Sequence, residues 1–285
     1  MDQRIINLYD EYTHKPLKRD DFLKKLAMIT GSMALALSIA PLLESNRAKA
    51  ATIAIDDEEL DTETIAYDCD GVTMFAYTAK LKKKSNFGCV MVIHENRGLN
   101  DHIKDVTRRL AKAGFFAMAP DALSESGGTP FDEDEARKLI STLDQKKNLN
   151  NFIKSATFLK ARKEGNRKIG CVGFCWGGGL ANQLAVNVPA LNAAVAFYGK
   201  QPDTVDVPKI KAAVQLHYAG LDERINAGIP AYEEALKKAG TKYELFIYEG
   251  VNHAFHNDTS EARYNADAAL HAWKRTIDFL EANVK

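Results

Sequence analysis

The chain has 285 residues, of which 46% are hydrophobic and 27% are charged. These values are typical of a globular protein, and the length fits one large α/β domain with a short appendage. Because 38 basic residues balance 38 acidic residues, the chain carries no formal net charge, which argues against a nucleic-acid partner or binding to an anionic membrane surface.

The first fifty residues have the layout of an export signal. A basic patch at residues 15–25 precedes a nearly uncharged stretch at residues 26–43, and an A-x-A sequence follows at residues 48–50. Basic, apolar and small residues in this order are typical of a cleaved signal peptide. We therefore predict a signal over residues 1–50 and a mature chain that begins at Ala51.

The route and the destination follow from the same segment. Residues 17–24 resemble a degenerate twin-arginine export signal in which Asp20 stands at the second arginine. We expect an exported, periplasmic protein with no stable membrane span after cleavage. The alternative is a cytoplasmic or membrane-anchored protein that keeps an uncleaved amphipathic N-terminal helix.

Residues 51–285 alternate between strand and helix patterns. The predicted elements are hairpin strands at 65–67 and 72–78, a buried strand at 87–94, a helix at 101–113, a strand at 115–120, helices at 132–143 and 149–162, a strand that ends before residue 175, a helix at 176–187, strands at 193–198 and 212–217, a helix at 227–239, a strand at 241–248 and a helix at 262–282. This alternation predicts an α/β domain with a mostly parallel central sheet and helices on both faces. Its active site should lie beyond the carboxyl ends of the strands.

The sequence Gly173-Phe174-Cys175-Trp176-Gly177 fits the nucleophile elbow G-x-S-x-G, with cysteine in place of serine. A sharp strand-to-helix turn crowds its flanks, so both flanking residues must be glycine. The positive end of the following helix would face the sulfur and favour the thiolate. The alternative is an ordinary buried cysteine in a glycine-rich turn.

A cysteine nucleophile needs a base and an acid that orients the base. On this kind of sheet the three groups follow in the order nucleophile, acid, histidine. Asp222 and His253 each follow a predicted strand, in that order after Cys175. His256 competes with His253, but the Gly-x-x-His placement favours the earlier residue.

The segment His94-Glu95-Asn96-Arg97-Gly98 ends the strand expected beside the elbow. The backbone N–H groups of Asn96 and Trp176 are therefore the predicted oxyanion hole, and Glu95 should project toward the thiol. The alternative is a polar strand end followed by an ordinary turn.

The four cysteines give no metal-binding spacing, because no C-x₂-C pair is present. We therefore predict no metal site. Cys89 and Cys171 lie within apolar strands, where buried free thiols are common, although a disulfide remains open if the protein is exported.

Several motifs occur together in chain order. They are Gly-Phe-Cys-Trp-Gly-Gly, His-Glu-Asn-Arg-Gly, Pro120-Asp121, Phe197-Tyr198-Gly199, Asp222 and Gly-x-x-His-Ala-Phe. Over residues 60–283 the chain resembles the dienelactone hydrolase family, also called carboxymethylenebutenolidase, of the α/β-hydrolase superfamily. The resemblance implies a triad of Cys175, Asp222 and His253 that forms an acyl-enzyme. It also implies that Glu95 accepts a hydrogen bond from the resting thiol and takes part in forming the thiolate.

The sequence departs from this family at the carboxylate-binding positions. Dienelactone-cleaving members bind the substrate carboxylate with two arginines, and the corresponding residues here are Asn257 and Glu133. Arg97 and Arg137 are the cations nearby that could compensate. With Tyr198 they are the candidate substrate-binding residues.

We expect a hydrolase that cleaves a small ester or lactone through a Cys-His-Asp triad and a covalent acyl-cysteine, without a metal or organic cofactor. The alternatives are a general thioesterase or peptidase-like acyl hydrolase on the same fold, or a non-catalytic thiol redox sensor. The expected partner is the small-molecule substrate, with no nucleic acid. The natural substrate and the oligomeric state stay open.

Overall fold

The computed structural model describes residues 1–15, 17–44 and 51–285. The strands are β1 (Leu60–Cys69), β2 (Val72–Leu81), β3 (Phe87–Ile93), β4 (Phe116–Pro120), β5 (Gly165–Phe174), β6 (Ala193–Phe197), β7 (Ala213–Ala219) and β8 (Tyr243–Tyr248). The helices are α1 (Gln3–His14), α2 (Arg19–Thr30), α3 (Met33–Leu43), α4 (Asp101–Lys112), α5 (Glu133–Ser141), α6 (Gln145–Ala161), α7 (Trp176–Asn187), α8 (Glu223–Asn226), α9 (Ile229–Ala239) and α10 (Ala266–Val284).

The eight strands form one sheet in the order β1-β2-β4-β3-β5-β6-β7-β8. Strand β2 is antiparallel to both of its neighbours, and all other pairs are parallel. This confirms the predicted mostly parallel sheet. The parallel strands all end at the same edge, where β3, β5, β7 and β8 deliver the predicted site residues.

Strand β3 explains why helices cover both faces of the sheet. All seven of its residues are buried. Met91 and Ile93 pack into an apolar cluster on one face with residues of α6 and α7, whereas Val90 and Val92 pack on the other face with residues of α4 and α10. The continuous apolar sequence of a central parallel strand follows from burial on both sides.

The element boundaries differ from the predictions where a local cap decides them. The last helix begins at Ala266 rather than at residue 262, because the Asn265 side chain accepts a hydrogen bond from the Ala268 N–H. The helix predicted from residue 227 begins at Ile229 with a proline in its first turn, after the short helix α8 that Asp222 caps.

Helices α1–α3 form an apolar cluster of their own at the N-terminus. Tyr9, Tyr12, Phe22 and Leu26 are buried in it, and the rings of Tyr12 and Phe22 stack with centroids 4.5 Å apart. The apolar stretch that the sequence assigns to an export signal divides into α2 and α3 at Gly31, whose φ of 86° is left-handed. The predicted cleavage sequence at residues 48–50 lies outside the described residues.

No single helix in the described ranges is long and apolar enough to cross a bilayer. Helices α2 and α3 together have the required length and composition, but they meet at 113°.

Candidate active site

Cys175 lies on a strained turn between β5 and α7. Its φ of 55° and ψ of −113° are unusual for a residue with a side chain. A Cβ at Gly173 would lie 2.0 Å from the Gly177 carbonyl oxygen, and a Cβ at Gly177 would lie 2.4 Å from the backbone oxygen of Ile93. These contacts show why a glycine must stand on each side of the elbow.

The structure brings together the three residues of the predicted triad. Asp222 follows β7 and His253 follows β8. The Nδ1 atom of His253 donates to Asp222 Oδ2 at 2.5 Å, and Asp222 Oδ1 accepts from the Ile225 N–H at 3.2 Å. A ring nitrogen of His253 lies within 4.8 Å of Cys175 Sγ, and the buried Nε2 atom has no hydrogen-bond partner among the described residues.

Charges around His253 and Asp222 counteract the effect of their burial. Burial alone would lower the pKa of His253, but the Asp10 carboxylate, the Cys175 thiolate and the hydrogen bond to Asp222 raise it well above its usual value. Burial would raise the pKa of Asp222, yet the hydrogen bond to His253 lowers it. The pair therefore favours an ionised acid beside an imidazole that readily holds a proton.

A second histidine, His14 at the end of α1, forms a hydrogen-bond contact with the thiol that the sequence did not predict. Its Nε2 atom is 3.2 Å from Cys175 Sγ, and its Nδ1 atom is 2.9 Å from the Asp10 carbonyl oxygen. A carbonyl can only accept, so Nδ1 carries a proton and Nε2 faces the sulfur. The helix that carries this histidine is attached to the domain by an ion pair between Asp10 and Arg263 at 3.3 Å.

The two imidazoles set the acidity of the nucleophile. Burial would raise the pKa of Cys175, but the neighbouring His14 and then His253 lower it from 9.0 to about 6. A large fraction of the thiol is therefore ionised at neutral pH, in a site where only 7% of the cysteine is exposed.

Sequence reasoning missed His14, because the segment that carries it was assigned to an export signal. One pattern in the sequence could have revealed it. The buried residues Ile5, Leu8, Tyr9 and Tyr12 follow helical spacing ahead of the basic patch. A signal peptide does not need an amphipathic helix at that place, whereas a helix that packs on a domain does.

Glu95 does not form the hydrogen bond to the thiol that the family resemblance implies. Among the described residues, its Oε2 atom accepts from Asn257 Nδ2 at 2.5 Å and its Oε1 atom accepts from the Tyr198 hydroxyl at 3.4 Å. Asn257, at the position of a family arginine, thus orients the carboxylate within the site. The thiol instead has His14 as its hydrogen-bond partner.

The predicted oxyanion donors lie at the ends of adjacent elements. Trp176 is the first residue of α7, and Asn96 follows β3, which pairs with β5 in parallel. Neither backbone N–H donates to another group of the described chain. The Asn96 side chain is fixed by its donation to the Thr13 carbonyl oxygen at 2.8 Å, a contact with α1.

His94 contacts both sides of the predicted oxyanion hole. Its Nε2 atom accepts from the Ala122 N–H at 3.1 Å, so its proton lies on Nδ1, which donates to the Glu95 carbonyl oxygen at 2.6 Å. Its ring also stacks on Trp176 with centroids 5.2 Å apart. One side chain therefore holds both sides of the predicted oxyanion hole.

The site opens into a cavity of about 1300 Å³ that α1 and the α/β domain line together. Tyr198 and Arg137, two of the candidate substrate-binding residues, line it. Arg137 pairs with Asp134 at 3.2 Å and donates to the Tyr12 carbonyl oxygen.

Arg97, the third candidate, is buried beside the cavity and engaged by other residues. Its Nε atom lies 3.1 Å from Glu133 Oε2, and it donates to the Tyr9 hydroxyl at 2.6 Å. The guanidinium thus joins the domain to α1. Its role in substrate binding stays a prediction.

The remaining candidates lie away from the thiol. His256 is buried with its ring stacked on Phe174, and burial lowers its pKa well below the usual value. Cys89 and Cys171 are buried free thiols, like the other two cysteines of the chain. Two clusters of possible metal ligands lie near the elbow, each with its ligand atoms within 4.8 Å of one another: His14, Cys175 and His253, and also Asp10, Asp222 and His253.

A sequence model of the dienelactone hydrolase family matches residues 74–284. A Saccharolobus solfataricus protein provisionally named carboxymethylenebutenolidase is 36% identical over 252 residues, which cover 76% of this chain and 96% of the relative. A Bradyrhizobium protein provisionally named 2-oxo-3-(5-oxofuran-2-ylidene)propanoate lactonase is 32% identical over 238 residues, covering 77% and 95%. The crystal structure of a Klebsiella pneumoniae protein, provisionally identified as a dienelactone hydrolase, superposes with a TM-score of 0.71 at 27% identity and covers 78% of this chain and 98% of that one. The chain therefore belongs to the dienelactone hydrolase family, and it is a hydrolase of ester or lactone bonds.

Proposed function

We propose that the chain cleaves a small ester or lactone through a Cys175-His253-Asp222 triad and an acyl-cysteine intermediate. The observation that carries this proposal is the hydrogen bond from His253 Nδ1 to Asp222, which leaves the buried Nε2 atom unpartnered beside the thiol. An imidazole held in this tautomer can pass a proton between the reacting groups.

The chemistry follows from these positions. The thiolate attacks the carbonyl carbon, and the N–H groups of Trp176 and Asn96 stabilise the oxyanion. As the C–O bond breaks, protonated His253 gives its proton to the leaving alkoxide, and the acyl group stays on sulfur. Water then attacks the thioester while His253 accepts its proton, and the sulfur leaves as thiolate. A lactone gives a hydroxy acid by this route, and an ester gives an acid and an alcohol.

His253 rather than His14 is the proposed base, although His14 forms the hydrogen-bond contact with the sulfur. His253 has a carboxylate on its Nδ1 atom, which stabilises the imidazolium that forms during the reaction. His14 has only a backbone carbonyl at the same position. The named activity of the Bradyrhizobium relative, a lactonase, supports a cyclic ester as one substrate class.

The test combines loss of activity with direct detection of the intermediate. Cys175→Ala and His253→Ala should each lower kcat/KM for an activated ester by about a thousandfold or more, because the triad acts as a unit. Mass spectrometry of the wild-type enzyme mixed rapidly with the ester should find the acyl group on the Cys175 peptide. Cys171→Ala is the matched control, a neighbouring buried thiol outside the triad. Full activity in Cys175→Ala would refute the mechanism.

We also propose that the chain is exported and that residues 1–50 are then removed. The order of basic, apolar and small residues supports this proposal. In the full-length chain α1 packs on the catalytic site, so cleavage would remove one wall of the cavity. Mass spectrometry of the native protein should find an N-terminus near Ala51, and an intact Met1 on the native protein would overturn the proposal.

A further inference from the structure

Three possible metal ligands meet at the elbow: a ring nitrogen of His14, the Cys175 Sγ atom and a ring nitrogen of His253 all lie within 4.8 Å of one another. Two imidazoles and one thiolate form a ligand set that Zn²⁺ prefers. The Nε2 atom of His253 is also a buried polar atom without a partner in the described chain, in a residue that is 3% exposed. We propose that these three residues bind one Zn²⁺ ion while α1 lies on the catalytic domain.

The surroundings of both histidines are those of metal ligands. His253 donates through Nδ1 to the Asp222 carboxylate, and His14 donates through Nδ1 to the Asp10 carbonyl oxygen. These bonds use the Nδ1 atom of each ring, so each Nε2 atom can bind a metal ion once any proton on it has been released. Zinc-binding histidines in proteins almost always have a carboxylate or a carbonyl at this position.

One of the three ligand-to-ligand distances already matches a zinc site, and the other two are at most 4.8 Å. Tetrahedral zinc, with bonds of about 2.3 Å to sulfur and about 2.0 Å to nitrogen, places its ligand atoms about 3.3–3.6 Å apart. His14 Nε2 and Cys175 Sγ are already 3.2 Å apart, and the two imidazole rings lie at 82° to each other with centroids separated by 4.8 Å. A water molecule would occupy the fourth position.

The charges around the elbow favour the binding of a divalent cation, although basic side chains surround the cavity entrance. The second cluster of possible metal ligands adds two carboxylates, Asp10 and Asp222, next to His253. Together with the Cys175 thiolate, and with Arg263 paired to Asp10, they leave the bound ion close to neutral overall. Binding releases to solvent the proton that Cys175 and His253 hold between them, so that the sulfur and the imidazole nitrogen can both bind the ion, and it involves no electron transfer.

The ion would occupy the lone pairs of both the nucleophile and the base, so it would block ester cleavage. This site depends on the N-terminal segment, since His14 is the ligand that α1 supplies. It uses the same side chains as the proposed triad but does not rest on that mechanism, because metal binding is measured without turnover.

The experiment uses the reduced full-length chain and Co²⁺ as a spectroscopic probe. The wild-type protein should bind one Co²⁺ with a thiolate-to-metal charge-transfer band and the intense d–d bands of tetrahedral coordination, and Zn²⁺ should displace it stoichiometrically. Cys175→Ala should lose the charge-transfer band. His14→Ala and His14→Gln should bind Zn²⁺ at least about tenfold more weakly.

The control variant is His271→Ala, which removes an exposed histidine of α10 and should bind Zn²⁺ as the wild type does. Circular dichroism of the His14 variants checks that they are folded. Absence of the charge-transfer band in the wild-type protein would overturn the proposal. Equal zinc affinity of folded His14→Gln and the wild type would also overturn it, because α1 would then supply no ligand.

Discussion

The reactivity of Cys175 depends on two imidazoles that reach it from opposite ends of the sequence. Burial raises the energy of a thiolate, whereas an adjacent imidazole that can hold a proton lowers it. His14 is the larger of the two lowering influences on the pKa of Cys175, and His253 is the next. The helix α1 therefore affects the chemistry of a residue 161 positions away.

This environment gives a prediction for alkylation. The rate at which iodoacetamide modifies Cys175 should rise with pH around a midpoint of about 6, because the thiolate is the reactive form. His14→Ala should move the midpoint upward and slow alkylation severalfold at pH 7, since the larger of the two influences that lower the pKa of Cys175 is then gone. Peptide mass spectrometry over a pH series measures both.

His271→Ala serves as the comparison for the alkylation series and should leave the midpoint unchanged, since His271 is exposed on α10. If His14→Ala and the wild type titrate together, His14 does not stabilise the thiolate.

Some site residues could be read from the sequence and others could not. That Cys175, Asp222 and His253 lie together was predictable, because each lies shortly after a strand and parallel strands end at one edge. His14 was not, because its contact with the thiol depends on how a separate helix packs. The position of Glu95 was predictable but its partner was not, since Asn257 binds the carboxylate from a distant loop.

The elbow joins β5 to α7 with almost no free space. The backbone of Gly177 lies against the end of β3, so a methyl group there would meet the carbonyl oxygens of Ile93 and His94 at 2.4 Å. Backbone atoms of a central strand cannot move aside without disturbing the sheet.

A pair of substitutions in α7 tests this packing. Gly177→Ala should lower the free energy of unfolding by about 3 kcal/mol and displace Cys175, because the new methyl group overlaps β3. Gly179→Ala should leave stability unchanged or raise it by up to about 1 kcal/mol, because alanine favours helix and its methyl group would meet Lys200 at an ordinary 3.5 Å. Urea unfolding measures both changes. Equal stability of the two variants would contradict the packing argument.

The sequence predicted the alternation of strands and helices in the catalytic domain because central strands and amphipathic helices have different apolar periods. It did not predict the packing of α1–α3. A basic segment followed by an apolar one is compatible with a signal peptide and also with a small helical cluster. Contacts between the helices, such as the ring of Tyr12 stacked on that of Phe22, identify the helical cluster.

Although the whole chain carries no formal net charge, the entrance to the cavity is strongly basic. Of the residues that the structure describes, eight lysines and arginines but only two aspartates line the cavity. Seven of the eight cations are exposed, and three of them, Lys15, Lys18 and Arg19, belong to the N-terminal segment. Such a field attracts anions from a distance, and salt weakens it because the Debye length is about 10 Å at 0.1 M.

Contacts at the bottom of the site have the opposite effect on an anionic substrate. The two family positions that bind a carboxylate hold Asn257, which donates to Glu95, and Glu133, which pairs with Arg97. Neither offers a free guanidinium fork, and a bidentate arginine contact is stronger and more directional than attraction to exposed cations. We therefore expect the local contacts to outweigh the basic entrance.

Dienelactone and its methyl ester, which differ only in the charged carboxylate, provide the matched comparison. At physiological salt, kcat/KM for dienelactone should be about a hundredfold lower than for the neutral ester, because replacing charge-assisted hydrogen bonds with neutral or repulsive contacts costs a few kcal/mol. Lowering the salt concentration should narrow the gap, since only the attraction of the anion to the basic entrance is screened. A preference for dienelactone at physiological salt would contradict this argument. It would mean that Arg137, which lines the cavity beside Asp134, binds the carboxylate in place of the two missing arginines.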